Sequence, residues 1–185
     1  MRTHVTTTVS RCFAALRHLS QIRCSVPADT FQTLVVELVH SRLDYGNAVL
    51  AGLPAYLQRR LQSALNAAAC LIYRLRLSDH IADTFICLHW LRVPRRIEFK
   101  LAVLTYKFLF DQAPCYLEPL VRVADLPDRR ARRSADTNPL LVPSVRLSSV
   151  GGRAFPVTAP RTWNDLPTTV ISAQSLHSFR RHLQT

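Results

Sequence analysis

Nine aspartates and three glutamates are the side chains of this 185-residue chain that could hold metal ions for phosphoryl or nucleotidyl transfer. Such sites cluster their carboxylates, because two metal ions about 3.5–4 Å apart must share ligands. Here the aspartates are scattered and none is adjacent to another. Asp44 follows Arg42 closely and is expected to pair with it or to cap a neighbouring helix. We therefore expect no catalytic residue, and no enzyme activity of this chain alone.

Thiol and imidazole groups could support a zinc site or a covalent nucleophile. The nearest approach to zinc ligation is His80, Cys87 and His89 with Cys115. Structural zinc usually takes two ligand pairs, each about two to five residues apart, and only Cys87 and His89 are that close. No glycine elbow or oxyanion-type loop flanks any cysteine or histidine. The sequence therefore predicts no metal site and no cofactor.

Arginine is the side chain of this sequence that could bind phosphate. A dense run places four arginines within five residues, and four further arginines of the C-terminal region join them as candidate nucleic-acid contacts: Arg129, Arg130, Arg132, Arg133, Arg153, Arg161, Arg180 and Arg181. Phosphate contacts of this kind are salt-dependent and blind to base sequence. A solvated linker would have the same composition. Trp90 and Trp163 could stack on bases, although core positions are favoured for both.

The overall charge agrees with an anionic partner. The chain has 24 basic and 12 acidic residues, a formal net charge of +12, and Lys100 and Lys107 are its only lysines. Arginine binds phosphate in a bidentate fork and stacks on bases, so the bias favours nucleic acid; codon bias in a GC-rich gene would produce the same skew. No apolar run approaches the length of about 18–20 residues that spans a bilayer, so no membrane partner is expected. Five widely spaced cysteines favour a reducing compartment, in the nucleus or the cytoplasm.

The elements that must position these side chains are mostly helices. Apolar residues recur at i, i+3, i+4 and i+7 over much of the first 122 residues, and they predict five to six helices at about 9–22, 28–50, 54–75, 78–88, 94–110 and 116–121. After residue 123 the chain is basic and rich in proline, and a final helix is predicted at about 172–183. Alternation at 140–147 and 153–157 allows a small β-ribbon. The fold class is thus mainly α, with a helical domain at 1–122 and a basic C-terminal region at 123–185.

Short phrases spread over almost the whole chain carry a family resemblance. One is Trp163-Asn164-Asp165-Leu166-Pro167, and others lie at 41–47, 52–54, 65–69, 88–91, 96–100, 106–107, 113–117, 153–155, 159–160 and 175–179. In this order and spacing they resemble the C-terminal part of reverse transcriptases from LINE-type (non-LTR) retrotransposons of the jockey-like and chicken-repeat-like group. Each phrase alone is weak, but together they are specific.

The resemblance implies a role in holding nucleic acid. In that family the corresponding segment follows the palm, so residues 1–122 would be thumb-like, and the partners would be RNA or an RNA–DNA hybrid and a palm domain. The family's catalytic aspartates precede this segment, so none is carried over, and the chain is expected to be a non-catalytic fragment of an RNA-directed DNA polymerase. Two alternatives stay open: a helical protein-interaction module that does not bind nucleic acid, and a domesticated host protein that binds RNA.

Overall fold

The computed structural model describes residues 1–76, 79–114, 117, 120–126, 139–147 and 150–184, and these residues are mainly helical, as predicted. The longer helices follow the apolar periodicity of the sequence. The α-helices are α1 (Arg2–Ile22), α2 (Ala28–Val35), α3 (Ser41–Asp44), α4 (Ala55–Tyr73), α5 (Ala82–Cys87), α6 (Val93–Leu109), α7 (Phe155–Asn164), α8 (Thr168–Ile171) and α9 (Leu176–Gln184). Of the helix predicted at 116–121, residues 116, 118 and 119 lie outside the described residues, and residues 117, 120 and 121 are not helical.

A π-helical turn joins α2 to α3 and makes residues 28–44 one helical stretch. This stretch ends earlier than the predicted residue 50, because Tyr45 is extended and Gly46 follows with a φ of +71°. A positive φ costs glycine little, since it has no Cβ to clash with the backbone. The break leaves His40 and Asp44 one turn apart near the end of the stretch.

Arg23, directly after α1, connects three helices of the N-terminal part. Its Nη2 donates a hydrogen bond to the carbonyl oxygen of Ile72 at 3.0 Å, near the C-terminus of α4. The guanidinium also lies 4.5 Å from the ring centroid of Phe31, a buried residue of α2. A cation at a helix C-terminus offsets the negative end of the helix dipole, and the ring face attracts the same charge. Arg23 therefore has a structural role.

The chain divides into two compact units, which are described separately. Unit 1 comprises Met1–Asn47 and Leu53–Arg96, and unit 2 comprises Ala48–Gly52 and Ile97–Thr185. In unit 1, α1 and α4 pack against each other and against the 28–44 stretch. Its core is aliphatic around Phe31 and contains Val5, Cys12, Val35 and Leu65, all with no exposed surface.

Three aromatic rings form the centre of unit 2. Tyr106 and Phe179 have ring centroids 4.6 Å apart, and Trp163 stacks on Phe179 at 5.8 Å. All three side chains are at most 2% exposed. The Tyr106 hydroxyl donates a hydrogen bond to the Ala173 carbonyl oxygen at 3.2 Å, just before α9. This cluster fixes α6, α7 and α9 on one core, and it confirms the core position expected for Trp163.

The predicted β-ribbon is not confirmed. Residues 153–157 do not form a strand, since α7 begins at Phe155 and Pro156 fits its first turn, where its missing N–H is not needed. Leu140 forms an isolated antiparallel bridge with Arg122. The Asn164 side chain makes two hydrogen bonds with the Leu140 backbone, each 2.9 Å long. Its Oδ1 accepts from the Leu140 N–H, and its Nδ2 donates to the Leu140 carbonyl oxygen. An amide side chain thus takes the place of a second strand.

The helix predicted at 172–183 begins later, at Leu176. The Ser175 hydroxyl oxygen accepts a hydrogen bond from the Ser178 backbone N–H at 3.2 Å. This is the N-cap arrangement, in which a side-chain oxygen satisfies one of the N–H groups that the first helical turn leaves without a partner. The cap fixes where α9 starts, and so which of its residues face the unit 2 core.

Candidate nucleic-acid interface

Four of the eight predicted phosphate contacts lie among the described residues. The run Arg129, Arg130, Arg132 and Arg133 lies outside them, so the structure places only the C-terminal candidates: Arg153, Arg161, Arg180 and Arg181. All four belong to unit 2.

Arg180 and Arg181 lie near the C-terminal end of α9, and both are exposed. Phe179, directly before them, is fully buried between Tyr106 and Trp163. The helix thus presents two guanidinium groups to solvent from a rigid core. No acidic residue occurs in Leu176–Gln184. Cations near a helix C-terminus also stabilise the helix that carries them.

Arg161 and Arg153 differ in their surroundings. Arg161 is an exposed residue of α7, a helix that packs against α9 through the Trp163–Phe179 ring contact. Arg153 is half-buried, and its side chain crosses Gly52 so closely that a Cβ there would lie 3.1 Å from Arg153 Cγ. Arg161 therefore belongs with Arg180 and Arg181 on the outer faces of neighbouring helices. Arg153 has a packing role as well.

Unit 1 carries more net positive charge than unit 2, which contains all eight predicted phosphate contacts. It contains twelve arginines against five acidic residues, a formal charge of +7, whereas unit 2 contributes +5 of the total. Of the 18 described arginines, 15 are exposed and only Arg96 is buried. The absence of any acid before Asp29 was the signal for this basic surface. These arginines are less conspicuous than the dense run at 129–133, because they are spread along the sequence.

A polar cluster in unit 1 was not predicted. Arg96 is 8% exposed, and its Nη2 donates to Asp44 Oδ1 at 2.8 Å. Its Nη1 donates to His40 Nε2, and Asn47 donates from Nδ2 to the same Asp44 oxygen at 2.7 Å. The His40 ring lies 4.8 Å from that of Trp90. The buried guanidinium thus hydrogen-bonds to His40 and Asp44, which are more than 50 residues away in the sequence. Motifs of closely spaced residues could not have predicted this pairing.

Burial and, to a smaller extent, the neighbouring Arg96 charge together lower the pKa of His40 to about 4, against the opposing effect of Asp44. The ring is therefore neutral at physiological pH and accepts the hydrogen bond from Arg96. Because the folded pKa lies below the ordinary value of 6.5, the unfolded chain binds the proton first as the pH falls.

We expect the free energy of unfolding to decrease as the pH falls from 6.5 towards 4, through the window set by the His40 pKa. His40→Gln should make this decrease shallower, because glutamine accepts a hydrogen bond from Arg96 without titrating. Urea unfolding followed at several pH values measures the slope. His18→Gln, a change at an exposed histidine of α1, is the control. Equal slopes for wild type and His40→Gln would contradict the prediction.

In the described part of the chain, potential metal ligands are dispersed and the Cys12 thiol is buried. No group of three or more His, Cys, Asp or Glu residues is placed there to hold a metal ion. Burial raises the pKa of the Cys12 thiol, which points to the Val39 carbonyl oxygen in the core, so Cys12 acts as a small apolar residue. Among the same residues no helix has the length and apolarity needed to cross a membrane.

Comparisons with known proteins place the chain in no group: no family model, no curated protein and no solved structure matches it.

Proposed function

We propose that this chain binds RNA or an RNA–DNA hybrid through its arginine-rich surface, as a non-catalytic, thumb-like segment of a non-LTR retrotransposon reverse transcriptase. The family part of the proposal stands on the sequence phrases described above. The binding part stands mainly on one observation: five of the six described arginines of unit 2 are exposed, including Arg161, Arg180 and Arg181, in a chain with twice as many basic as acidic residues. Arginine at this density on a folded surface is the electrostatic footprint of a nucleic-acid partner.

The proposed contact is to phosphate, not to bases. Arg180 and Arg181 project from a helix anchored by Phe179, and Arg161 lies on the neighbouring helix. Guanidinium groups bind phosphate oxygens in pairs of parallel hydrogen bonds. Trp163 is only 2% exposed and is packed on Phe179, so it does not serve as a stacking platform. Binding should therefore be insensitive to base sequence and sensitive to salt.

The test is the affinity for a labelled single-stranded RNA, measured by fluorescence anisotropy from about 50 to about 200 mM salt. We expect a steep loss of affinity with salt. Changing Arg129, Arg130, Arg132 and Arg133 together to glutamine should reduce the slope of log affinity against log salt by about 3, since each phosphate contact to a single strand contributes about 0.7. Arg180→Gln/Arg181→Gln should reduce it by about half as much.

Arg17→Gln, which removes an exposed arginine of α1 in unit 1, is the control and should leave the slope close to that of the wild type. Absence of binding at low salt would contradict the proposed function and favour a protein-interaction module. Equal effects of all the arginine variants would show only a general charge effect, and would contradict the assignment of the contacts to unit 2.

A further inference from the structure

An open groove of about 570 Å³ lies on unit 1 between α1 and the 28–44 helical stretch. Its volume falls within the range of roughly 300–1,000 Å³ that is common for ligand clefts. Five lining residues are aliphatic, one from the 28–44 stretch and the rest from α1, and together they are called the floor: Leu38, Ala14, Ala15, Leu19 and Ile22. Ile22 and Leu38 remain 42% and 38% exposed. The groove thus leaves apolar surface in contact with water where two helices meet.

The charges around this groove have one sign. Arg11 and His18 of α1 and Arg42 of α3 line it, and none of the described residues that line it is acidic. Arg11 and His18 are seven residues apart on α1, which is two helical turns, so they lie along one edge. Arg42 lies four residues after Leu38, one turn further along the opposite wall. The groove therefore combines an apolar floor with basic walls.

We propose that this groove binds an acidic amphipathic helix of a protein partner. A helix with apolar residues at i, i+3, i+4 and i+7 buries them in a groove between two helices, and this is a recurrent mode of peptide recognition. Carboxylates along the edges of such a helix would meet Arg11 and Arg42 across the rim, where complementary charge sets specificity. The inference concerns unit 1 and does not depend on RNA binding by unit 2.

The composition of the floor favours a peptide over nucleic acid. Among the described residues, no Phe, Tyr or Trp lines the groove, so bases would find no aromatic platform there of the kind that single-strand binding sites use. Phosphate groups placed over an aliphatic floor would lose water without gaining partners there. A concave groove also fits one helix better than it fits the flat surface of an anionic membrane.

The probe is a fluorescein-labelled synthetic peptide helix with leucine on one face and glutamate on the other, titrated with the full-length chain. Its control is the same peptide with every glutamate changed to glutamine, which we expect to bind about tenfold more weakly. Arg11→Gln/Arg42→Gln should weaken binding of the acidic probe about tenfold, and Ile22→Ser/Leu38→Ser by a similar factor. Circular dichroism would test whether each variant is folded, which we expect because all four positions are exposed.

Arg17→Gln is the matched control on α1, because Arg17 is exposed and does not line the groove; it should change the affinity by less than about twofold. Failure of the acidic probe to bind, or equal losses for Arg17→Gln and the Arg11/Arg42 variant, would overturn the proposal. So would loss of RNA or anionic-vesicle binding in the Arg11/Arg42 variant without loss of peptide binding. Loss of RNA binding in the Arg180/Arg181 variant, with the peptide affinity unchanged, would support both proposals separately.

Discussion

Phe179→Ala is expected to lower the free energy of unfolding of unit 2 by about 3–5 kcal/mol, the usual cost of truncating a buried phenylalanine. Phe179 has no exposed surface, and its ring touches both Tyr106 and Trp163. The alanine variant loses the transfer free energy of the ring and both ring contacts, and it leaves a cavity that rigid neighbours cannot fill. Such a loss is a large part of the total stability of a domain, which is about 5–15 kcal/mol.

Phe110→Ala is the matched control for this prediction. Phe110 stacks on the same Tyr106 ring at 4.3 Å but is 49% exposed, so its truncation should cost roughly 1 kcal/mol or less. Urea unfolding followed by tryptophan fluorescence in a Trp90→Phe background reports on Trp163, the tryptophan of unit 2. Equal losses for the two variants would mean that Phe179 is not the centre of the core.

The same variant connects the unit 2 core to the proposed function. Arg180 and Arg181 keep their positions only while Phe179 holds α9 on α6 and α7. At urea concentrations where Phe179→Ala is still folded, we expect weaker RNA binding than in the Phe110→Ala variant, although no arginine has changed. Unchanged RNA affinity in Phe179→Ala would separate RNA binding from the placement of α9.

Asp44→Asn is expected to lower the free energy of unfolding of unit 1 by about 2–3 kcal/mol. Arg96 is 8% exposed and would lose the carboxylate that neutralises its charge, whereas Asp44 is 41% exposed. Removing one member of a fully buried pair typically costs about 3–5 kcal/mol, because the other charge stays desolvated. Water reaches this pair from the Asp44 side, so we expect a smaller effect. His40, which is neutral, cannot replace the missing charge.

Because Arg96 is more deeply buried than Asp44, removing either partner of the ion pair should not cost the same free energy of unfolding. Arg96→Met should cost less than Asp44→Asn, because the remaining Asp44 carboxylate is still partly hydrated and methionine fills the volume of the buried stem. Glu37→Gln removes a negative charge from the same helical stretch at an exposed position and is the control, with an expected change within about 0.5 kcal/mol. Urea unfolding of each variant in a Trp163→Phe background measures unit 1. A larger loss for Arg96→Met than for Asp44→Asn would contradict the argument.

Periodicity located α1, α4 and α6 because each buries one long apolar stripe, and such a stripe is visible in the sequence before any partner is known. It failed for residues 153–157, where alternating residues resembled a strand but Pro156 opens α7. Periodicity also placed the end of the second helix after Asp44, because the apolar pattern does not indicate the turn at Gly46. At both places a local backbone preference of proline or glycine decided the structure.

For the candidate sites, the sequence by itself determined the amount and the type of charge: 22 arginines, few acids and no clustered aspartates. Only the tertiary structure decided which arginines face solvent and which, like Arg96, are buried against Asp44 and His40. It also decided that Arg11, His18 and Arg42 border one apolar groove. The reason is physical: composition and periodicity are properties of the chain and its neighbouring residues, whereas burial and charge pairing depend on helices that meet from distant parts of the sequence.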